Sequence, residues 1–252
     1  MTLALHEVEV SFGRTVVLEG ITFEPAEGEV TVILGRNAAG KSTLLRTMAG
    51  LVRPRSGRVL LDGSPIAGLA PVDRARRLAY LPQHPDVVGP FTVADVVSLG
   101  SLPRPGADRG TDALERVLDQ VGLLEAAARP YLELSAGQRQ RAALARCLLQ
   151  LSPGGWLLLD EPLAAQDPGE AARIIEILRG LKASGHGILV VVHDPIAAWP
   201  LGDRAAVLES GRLRVEGERE AILEPRLLES VFGVPFIEGP AGPIPGLGDR
   251  MA

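Results

Sequence analysis

Apolar, β-branched runs separated by turn signals fill the start of the chain. Runs of this kind predict short strands, here at Leu3–Val10, Thr15–Leu18, Ile21–Phe23 and Glu29–Leu34. A further strand is predicted over Val59–Asp62, where Gly63 closes it. Several strands in succession predict a small antiparallel sheet in the N-terminal part of the chain.

From Glu29 onwards, apolar strands alternate with segments of helical periodicity. The later strands are predicted at Ala79–Leu81, Trp156–Leu159 and Ile188–Val192. The helices are predicted at Ser42–Ala49, 71–78, Gln138–Gln150 after an N-terminal cap at Ser135, and Pro168–Ala183. A hairpin over residues 205–218 turns at Ser210-Gly211. Strands that alternate with helices predict an α/β fold with a mostly parallel sheet.

Residues 85–134 interrupt this alternation, because they are rich in Pro and Gly and contain helical patterns but no convincing strand. The patterns lie at Val93–Leu99 and Thr111–Val121. We therefore expect a helical subdomain over about residues 85–150, inserted in a single domain of residues 1–238. The Gly/Pro-rich residues 239–252 are expected to form a loosely ordered tail.

Composition narrows the class of protein. A chain of 252 residues that is 46% hydrophobic and 23% charged suits one globular domain with a subdomain. The net charge of −5 gives no reason to expect nucleic acid as a partner. Cys147 is the only cysteine, which excludes an internal disulfide. No apolar run approaches the roughly 20 residues that span a bilayer, so we expect a soluble protein.

The most informative motif lies between the strand that ends at Leu34 and the next helix. It comprises Gly35, Arg36, Asn37, Ala38, Ala39, Gly40, Lys41, Ser42 and Thr43. The spacing matches the phosphate loop, in which backbone N–H groups at a helix start bind phosphates. Lys41 would add positive charge at the β- and γ-phosphates, and the Ser42 hydroxyl could ligate Mg²⁺. An ordinary glycine-containing turn rarely places Lys-Ser directly after its second glycine.

Two carboxylates follow the strand Trp156–Leu159, at Asp160 and Glu161. In an open parallel sheet the carboxyl ends of the strands face the ligand crevice. Asp160 would hold Mg²⁺ and Glu161 would polarise an attacking water. Adjacent residues of a strand point to opposite faces, so the two acids should leave it in different directions. Alone, the pair could equally be solvated acids at a strand end.

Together these residues resemble the ATP-binding subunit of an ABC transporter, over roughly residues 3–218. The most specific match is Leu134–Arg141, which is similar to the L-S-G-G-Q signature of that family and precedes Asp160-Glu161 as the family requires. A capped helix start would explain Ser135 and the arginines, but it would not explain Gly137-Gln138. The resemblance implies the fold of a phosphate-loop ATPase, with an N-terminal antiparallel subdomain and a helical insertion.

The resemblance also implies roles for single residues. Residues 35–43 would be the Walker A loop, and Asp160 and Glu161 the Walker B aspartate and the catalytic glutamate. Gln83 matches the Q-loop glutamine that contacts Mg²⁺, and His193 matches the switch histidine at the γ-phosphate. Phe12 falls where an aromatic ring stacks on adenine, with a core aromatic as the alternative. Asp167 matches the D-loop aspartate.

A head-to-tail dimer of two copies is implied in the same way. Each ATP is bound in this dimer by the Walker motifs of one copy and by Ser135, Gly137 and Gln138 of the other. The implied reaction is ATP hydrolysis, carried by Glu161, His193, Lys41 and Gln83 with Mg²⁺. The implied partners are permease subunits and, indirectly, a substrate-binding protein, which would place the chain at the cytoplasmic face of the cell membrane.

Departures from the family pattern concern four positions. Ala38 replaces a usual glycine of the loop, at a cost on the order of 1 kcal/mol if that position needs φ > 0. Ala136 replaces the first signature glycine, which an ordinary backbone angle would tolerate. Ala164 and Gln166 stand where the D-loop usually has Ser and Leu, which alters an interface loop. Every group needed for hydrolysis remains.

The segment Phe91–Gly100 with Pro103, and residues 220–236, resemble the ATPases that serve importers of ferric siderophores, haem and cobalamin. Ser101 departs from that group, which often has Arg there. Other importers remain open, as does a soluble ABC-type ATPase in cofactor assembly, translation or DNA repair. The lack of a coiled-coil insertion, tandem halves and a basic surface argues against the last two. A regulatory module with little turnover is indicated only by Ala38, Ala164 and Gln166.

Overall fold

The computed structural model describes residues 1–103, 111–240 and 242–246. Twelve strands occur in these residues: β1 Leu3–Phe12, β2 Thr15–Phe23, β3 Val30–Leu34, β4 Ser56–Leu61, β5 Ser64–Pro65, β6 Leu78–Leu81, β7 Trp156–Asp160, β8 Gly187–Val191, β9 Arg204–Glu209, β10 Arg212–Glu218, β11 Phe236–Gly239 and β12 Gly242–Pro245. The α-helices in these residues are α1 Lys41–Met48, α2 Pro71–Arg77, α3 Val93–Ser98, α4 Thr111–Gln120, α5 Ala136–Gln150, α6 Pro168–Ala183, α7 Pro195–Leu201, α8 Arg219–Ile222 and α9 Pro225–Phe232.

Two sheets form the body of the fold. The first is antiparallel, with strand order β2-β1-β4-β5. The second has the order β10-β9-β3-β8-β7-β6, and its strands are parallel except for the edge strand β10. The central strands β3, β7 and β8 are buried at every residue, as expected of parallel strands covered on both faces.

Alternate side chains of the parallel sheet enter two separate cores. Leu158 packs with residues of the antiparallel sheet and α1, such as Leu5 and Leu45. Its neighbours Leu157 and Leu159 pack on the other face with residues of α5 and α6, such as Leu144 and Ile174. The sheet is thus fixed between the N-terminal subdomain and the helices, and the carboxyl ends of β3, β7 and β8 are held at one edge.

Most predicted elements are confirmed within a few residues, and Pro168–Ala183 is confirmed at both ends. The N-terminal part differs, because the two strands predicted before and after Gly20 form the single strand β2. Gly20 has φ 60°, and the pairing with β1 shifts register at three points. A glycine that sequence patterns treat as a turn here accommodates a bulge within a continuous strand.

The C-terminal part also differs from the expectation. Residues 242–245 were expected within a loosely ordered tail, but they form β12, which pairs antiparallel with β11 across the boundary at residue 239. Gly242 contacts the ring of Trp199 on α7 so closely that a Cβ there would lie 2.5 Å from Cγ of the indole. The small glycine thus lets the hairpin pack on α7. Residues 241 and 247–252 of the predicted tail lie outside the described residues.

Candidate functional site

Residues 35–40 of the phosphate loop connect β3 to α1, and Lys41, Ser42 and Thr43 form the first turn of that helix. Gly35 is required by packing, since a Cβ at this residue would collide with the carbonyl of Leu208 on the neighbouring strand β9. Gly40 is the N-cap of α1 with φ 103° and offers no side chain to the first N–H groups of the helix. Those donors therefore face the loop, where an anionic group can accept their hydrogen bonds.

The buried side chain of Lys41 forms hydrogen bonds with the backbone of the phosphate loop. Its Nζ donates to the carbonyls of Gly35 at 2.8 Å and Arg36 at 3.0 Å. Burial lowers the pKa of Lys41, and the carboxylates of Glu161 and Asp160 oppose part of that shift. The ammonium thus lies between the loop and the two acids, where it can compensate the charge of a phosphate.

Ala38 has φ 62° in the exposed part of the loop. A cost was expected for Ala38 only if its position needs φ > 0, and it does. Its backbone adopts the left-handed conformation that glycine accepts and alanine disfavours. Ala136, in contrast, is the first residue of α5 and is not at positive φ. Of the two alanines that replace glycines, only Ala38 strains the backbone.

The two acids leave the end of β7 in different directions, as expected. Asp160 is fully buried, and Ser42 Oγ donates to its Oδ1 at 3.1 Å. Burial raises the pKa of Asp160. Glu161 has φ 54°, and its Oε2 accepts a hydrogen bond from Gln83 Nε2 at 2.8 Å. The glutamine that the resemblance assigns to the Q-loop and the carboxylate that it assigns to catalysis are thus in direct contact.

One cavity of about 600 Å³ collects most of the predicted site residues. Its walls are formed by Phe12, Val17, Asn37, Ala38, Ala39, Gly40, Lys41, Ser42, Thr43, Gln83, Glu161 and His193. Phe12 is 56% exposed, so its ring is free to stack on a ligand and is not the core aromatic considered as the alternative. His193, just after β8, is exposed and faces the same space as Glu161.

The signature residues do not line this cavity. Ser135 caps α5 by accepting from the N–H of Gln138 at 3.2 Å, and the Gln138 side chain accepts from the N–H of Ser135 at 3.1 Å. Gly137 lies in the first turn of the same helix. Asp167 caps α6 by accepting from the N–H of Glu170 at 3.0 Å. Within one chain these four residues therefore have capping or packing contacts and none lines the phosphate-loop cavity.

Tyr80 and Arg46 are neighbours of the site that sequence patterns do not indicate. Tyr80 Oη donates to Asp160 Oδ2 at 3.4 Å and accepts from Arg46 Nε at 3.2 Å. Burial is the main cause that raises the pKa of Tyr80. The only signal in the sequence is a tyrosine in an otherwise apolar strand, which by itself does not reveal the pairing of β6 with β7.

Comparison with known proteins decides the family. The family model described as ABC transporter matches residues 18–164, more than half of the chain. The chain belongs to the ABC transporter family. The predicted ABC-type ATPase and its phosphate-loop fold are thereby confirmed, and with them the binding of ATP by this chain.

Relatives narrow the resemblance. The hemin import ATP-binding protein HmuV of Nocardia farcinica is 40% identical over 222 residues, which cover 87% of this chain and 76% of that protein. HmuV of Pseudomonas putida is also 40% identical, over 88% of this chain and 89% of the relative. The predicted resemblance to the siderophore, haem and cobalamin importer group is confirmed.

A solved structure of an ATP-binding subunit of an ABC transporter is 26% identical to the chain. It superposes with a TM-score of 0.79 over 92% of this chain and 94% of the other. The architecture described above is therefore that of known ABC ATPase domains. Among the described residues, none of the helices combines the length and the apolar character needed to cross a bilayer.

Proposed function

We propose that the chain hydrolyses ATP to drive an importer of haem or a related iron chelate. The single observation that carries the substrate class is the 40% identity, over most of the chain, to two proteins named for hemin import. The transported molecule does not contact the ATPase in such a system, so the site itself has no pocket dedicated to it. Its selection would belong to a permease and to a substrate-binding protein outside the membrane.

Two copies would form the working unit, arranged head to tail. This is supported by the separation of the signature from the phosphate-loop cavity within one chain. Ser135, Gly137 and Gln138 would then contact the γ-phosphate of the ATP held by the other copy. The capped N-terminus of α5 directs its dipole toward negative charge, which suits that role. Asp167 would lie near the same boundary.

Ser42, Asp160 and Gln83 would hold Mg²⁺. The donor set fits this ion, because it offers a hydroxyl, a buried carboxylate and an amide oxygen, and Mg²⁺ prefers oxygen ligands. Burial raises the pKa of Asp160, so a nearby cation would also stabilise the ionised form of this carboxylate. When bound, Mg²⁺ would neutralise phosphate charge and so assist displacement at the γ-phosphate.

The remaining residues would position ATP and the attacking water. The ring of Phe12 would stack on adenine, and residues 35–43 would bind the phosphates through backbone N–H groups and Lys41. Glu161 would accept hydrogen bonds from the water and orient it toward the γ-phosphate, while Gln83 holds the carboxylate in place. His193 would stabilise charge on the γ-phosphate from the other side of the cavity.

The domain that carries these groups would comprise residues 1–238, with the helical subdomain at about 85–150 as the contact to the permease. The chain would thus sit as a peripheral subunit on the cytoplasmic side of the cell membrane. Phe91 and Leu99 are exposed apolar residues of that subdomain, which supports a protein contact there.

The experiment that tests this function uses the affinity-tagged chain in its own cells. We expect a membrane-spanning permease to co-purify, and vesicles that carry the complex to take up hemin only when ATP and Mg²⁺ are supplied. The Lys41→Ala variant, which removes the phosphate-binding ammonium, serves as the matched control without transport. ATP hydrolysis by a complex that takes up a different class of substrate would refute the haem assignment and leave the ATPase assignment intact.

A further inference from the structure

The loop of residues 161–167 lies against the first turn of α5, and two glutamine amides join them. Gln140 Nε2, on the helix, donates to the carbonyl of Glu161 at 3.1 Å. Gln166 Nε2, on the loop, donates to the carbonyl of Gly137 at 3.1 Å. One bond runs from the helix to the loop and the other from the loop to the helix. The pair therefore resists both translation and rotation of one segment against the other.

Backbone contact reinforces these bonds. A Cβ on Gly137 would lie 2.5 Å from the carbonyl oxygen of Ala165 and 3.4 Å from Oε1 of Gln166, so only glycine allows this approach. The loop itself is held at φ 54° at Glu161 and 59° at Ala165. Non-glycine residues keep such angles only where surrounding contacts fix them. The amide of Gln166 is one of those contacts, because its partner lies on a different element.

We propose that Gln166 is a positioning residue that fixes the signature turn of α5 to the loop carrying Glu161. This inference rests on the head-to-tail dimer proposed above. In that dimer Glu161 acts on the ATP of its own copy, whereas Gly137 and Ser135 act on the ATP of the other copy. The Gln166 bond therefore connects the two ATP sites through one chain. Leucine, usual at this position in the family, has no N–H in its side chain, so the bond is a feature of this chain.

The test compares Gln166→Met with the wild-type chain in steady-state ATP hydrolysis over a range of ATP concentrations. Methionine keeps the length of the side chain and removes the donor. We expect kcat to fall on the order of fivefold, the factor that one net hydrogen bond supplies. The Hill coefficient should fall toward 1, while ATP binding to dilute protein stays unchanged, since no Walker contact is touched. Gln120→Met, at an exposed glutamine that ends α4, is the matched control and should behave as wild type.

The variant Gln166→Glu adds a second measurement, the pH dependence of the hydrolysis rate, which a purely structural role of Gln166 would leave unchanged. An ionised carboxylate repels the Gly137 carbonyl, whereas a protonated carboxyl donates to it as the amide does. Because an ordinary glutamate has a pKa of about 4.3, the rate of Gln166→Glu relative to wild type should rise as the pH is lowered from about 7 to about 5, and the relative rate of Gln166→Met should stay flat.

The outcomes separate this inference from the proposed function. If wild type hydrolyses ATP and Gln166→Met matches it in kcat and Hill coefficient, the inference is wrong and the ATPase assignment stands. If wild type itself neither hydrolyses ATP nor dimerises, the proposed function fails. Thermal unfolding checks that each variant is folded. Should Gln166→Met be unfolded, the pH dependence of Gln166→Glu decides: a rising relative rate supports the inference and a flat one overturns it.

Discussion

The backbone angle of Ala38 lowers the stability of the folded protein. Its φ of 62° costs alanine on the order of 1 kcal/mol, and its side chain is exposed, so removing the methyl group loses no packing. Glycine would relieve that strain but lose about half of the gain to the greater freedom of the unfolded chain. The strain is thus a local feature of the phosphate loop that the rest of the fold must hold in place.

We predict that Ala38→Gly raises the free energy of unfolding by about 0.5 kcal/mol, measured by urea denaturation. Ala165→Gly, at φ 59°, should act in the same direction. The neighbouring Ala164 is also exposed but is not at positive φ, so Ala164→Gly should lower the free energy of unfolding by about 0.5 to 1 kcal/mol. Destabilisation by all three substitutions would contradict the strain argument.

At this scale the sequence predicts residue types better than contacts. The phosphate-loop spacing and the second of the two acids, Glu161, identify groups that line the cavity, because short motifs encode them. The φ of Ala38 could only be stated as a condition, since one sequence does not fix a dihedral angle. Tyr80 was missed because its contact with Asp160 depends on which strands are neighbours in the sheet.

Hydrogen-bonded caps determine where the helices α3 and α5 begin. α3 begins with a capping box, in which the Thr92 side chain accepts from the N–H of Asp95 and the Asp95 side chain accepts from the N–H of Thr92. The Thr92 hydroxyl also donates to Asp95 Oδ2 at 2.6 Å, and this bond, together with the one from the Thr92 N–H, lowers the pKa of Asp95. α5 begins with the same arrangement at Ser135 and Gln138. The helical insertion is thus fixed at both of these starts by side chains that the sequence displays.

We predict that Thr92→Ala lowers the free energy of unfolding by about 1 kcal/mol and raises the pKa of Asp95. A carboxyl whose folded pKa is depressed contributes stability above its unfolded pKa and loses it as the pH falls through the folded value. The variant should therefore lose less stability than wild type on acidification through that range. Carboxyl NMR titration and urea denaturation measure the two effects, and Thr92→Ser, which keeps the hydroxyl, should differ little from wild type.

The elements that sequence patterns misjudge are those decided by long-range pairing. β2 continues past Gly20 because β1 supplies partners on both sides of the bulge. β12 forms because β11 and Trp199 provide a partner and a surface for a Gly/Pro-rich segment. Local periodicity contains neither piece of information, whereas it suffices for α6, whose apolar positions and N-terminal Pro168 lie within the helix itself.

For the whole molecule, the order of strands and helices was enough to predict the two sheets and the helical insertion. The division of the site between two copies is a different kind of inference, because it rests on the family resemblance and on signature residues that do not line the cavity. Each copy also carries a net charge of −5, so two copies repel at low ionic strength. In the head-to-tail dimer proposed above, the contacts that both copies make with ATP would have to outweigh this repulsion.

We predict that Glu161→Gln traps a dimer when ATP and Mg²⁺ are present. The amide keeps the shape of the side chain next to Gln83 but cannot polarise water as a carboxylate does, so ATP remains bound between the copies. Sedimentation velocity at moderate salt should give twice the monomer mass of 26.6 kDa with ATP and the monomer mass with ADP. Lys41→Ala in the same background should stay monomeric, since it weakens binding of the phosphates. Undiminished steady-state hydrolysis by Glu161→Gln would exclude this carboxylate as the group that activates water.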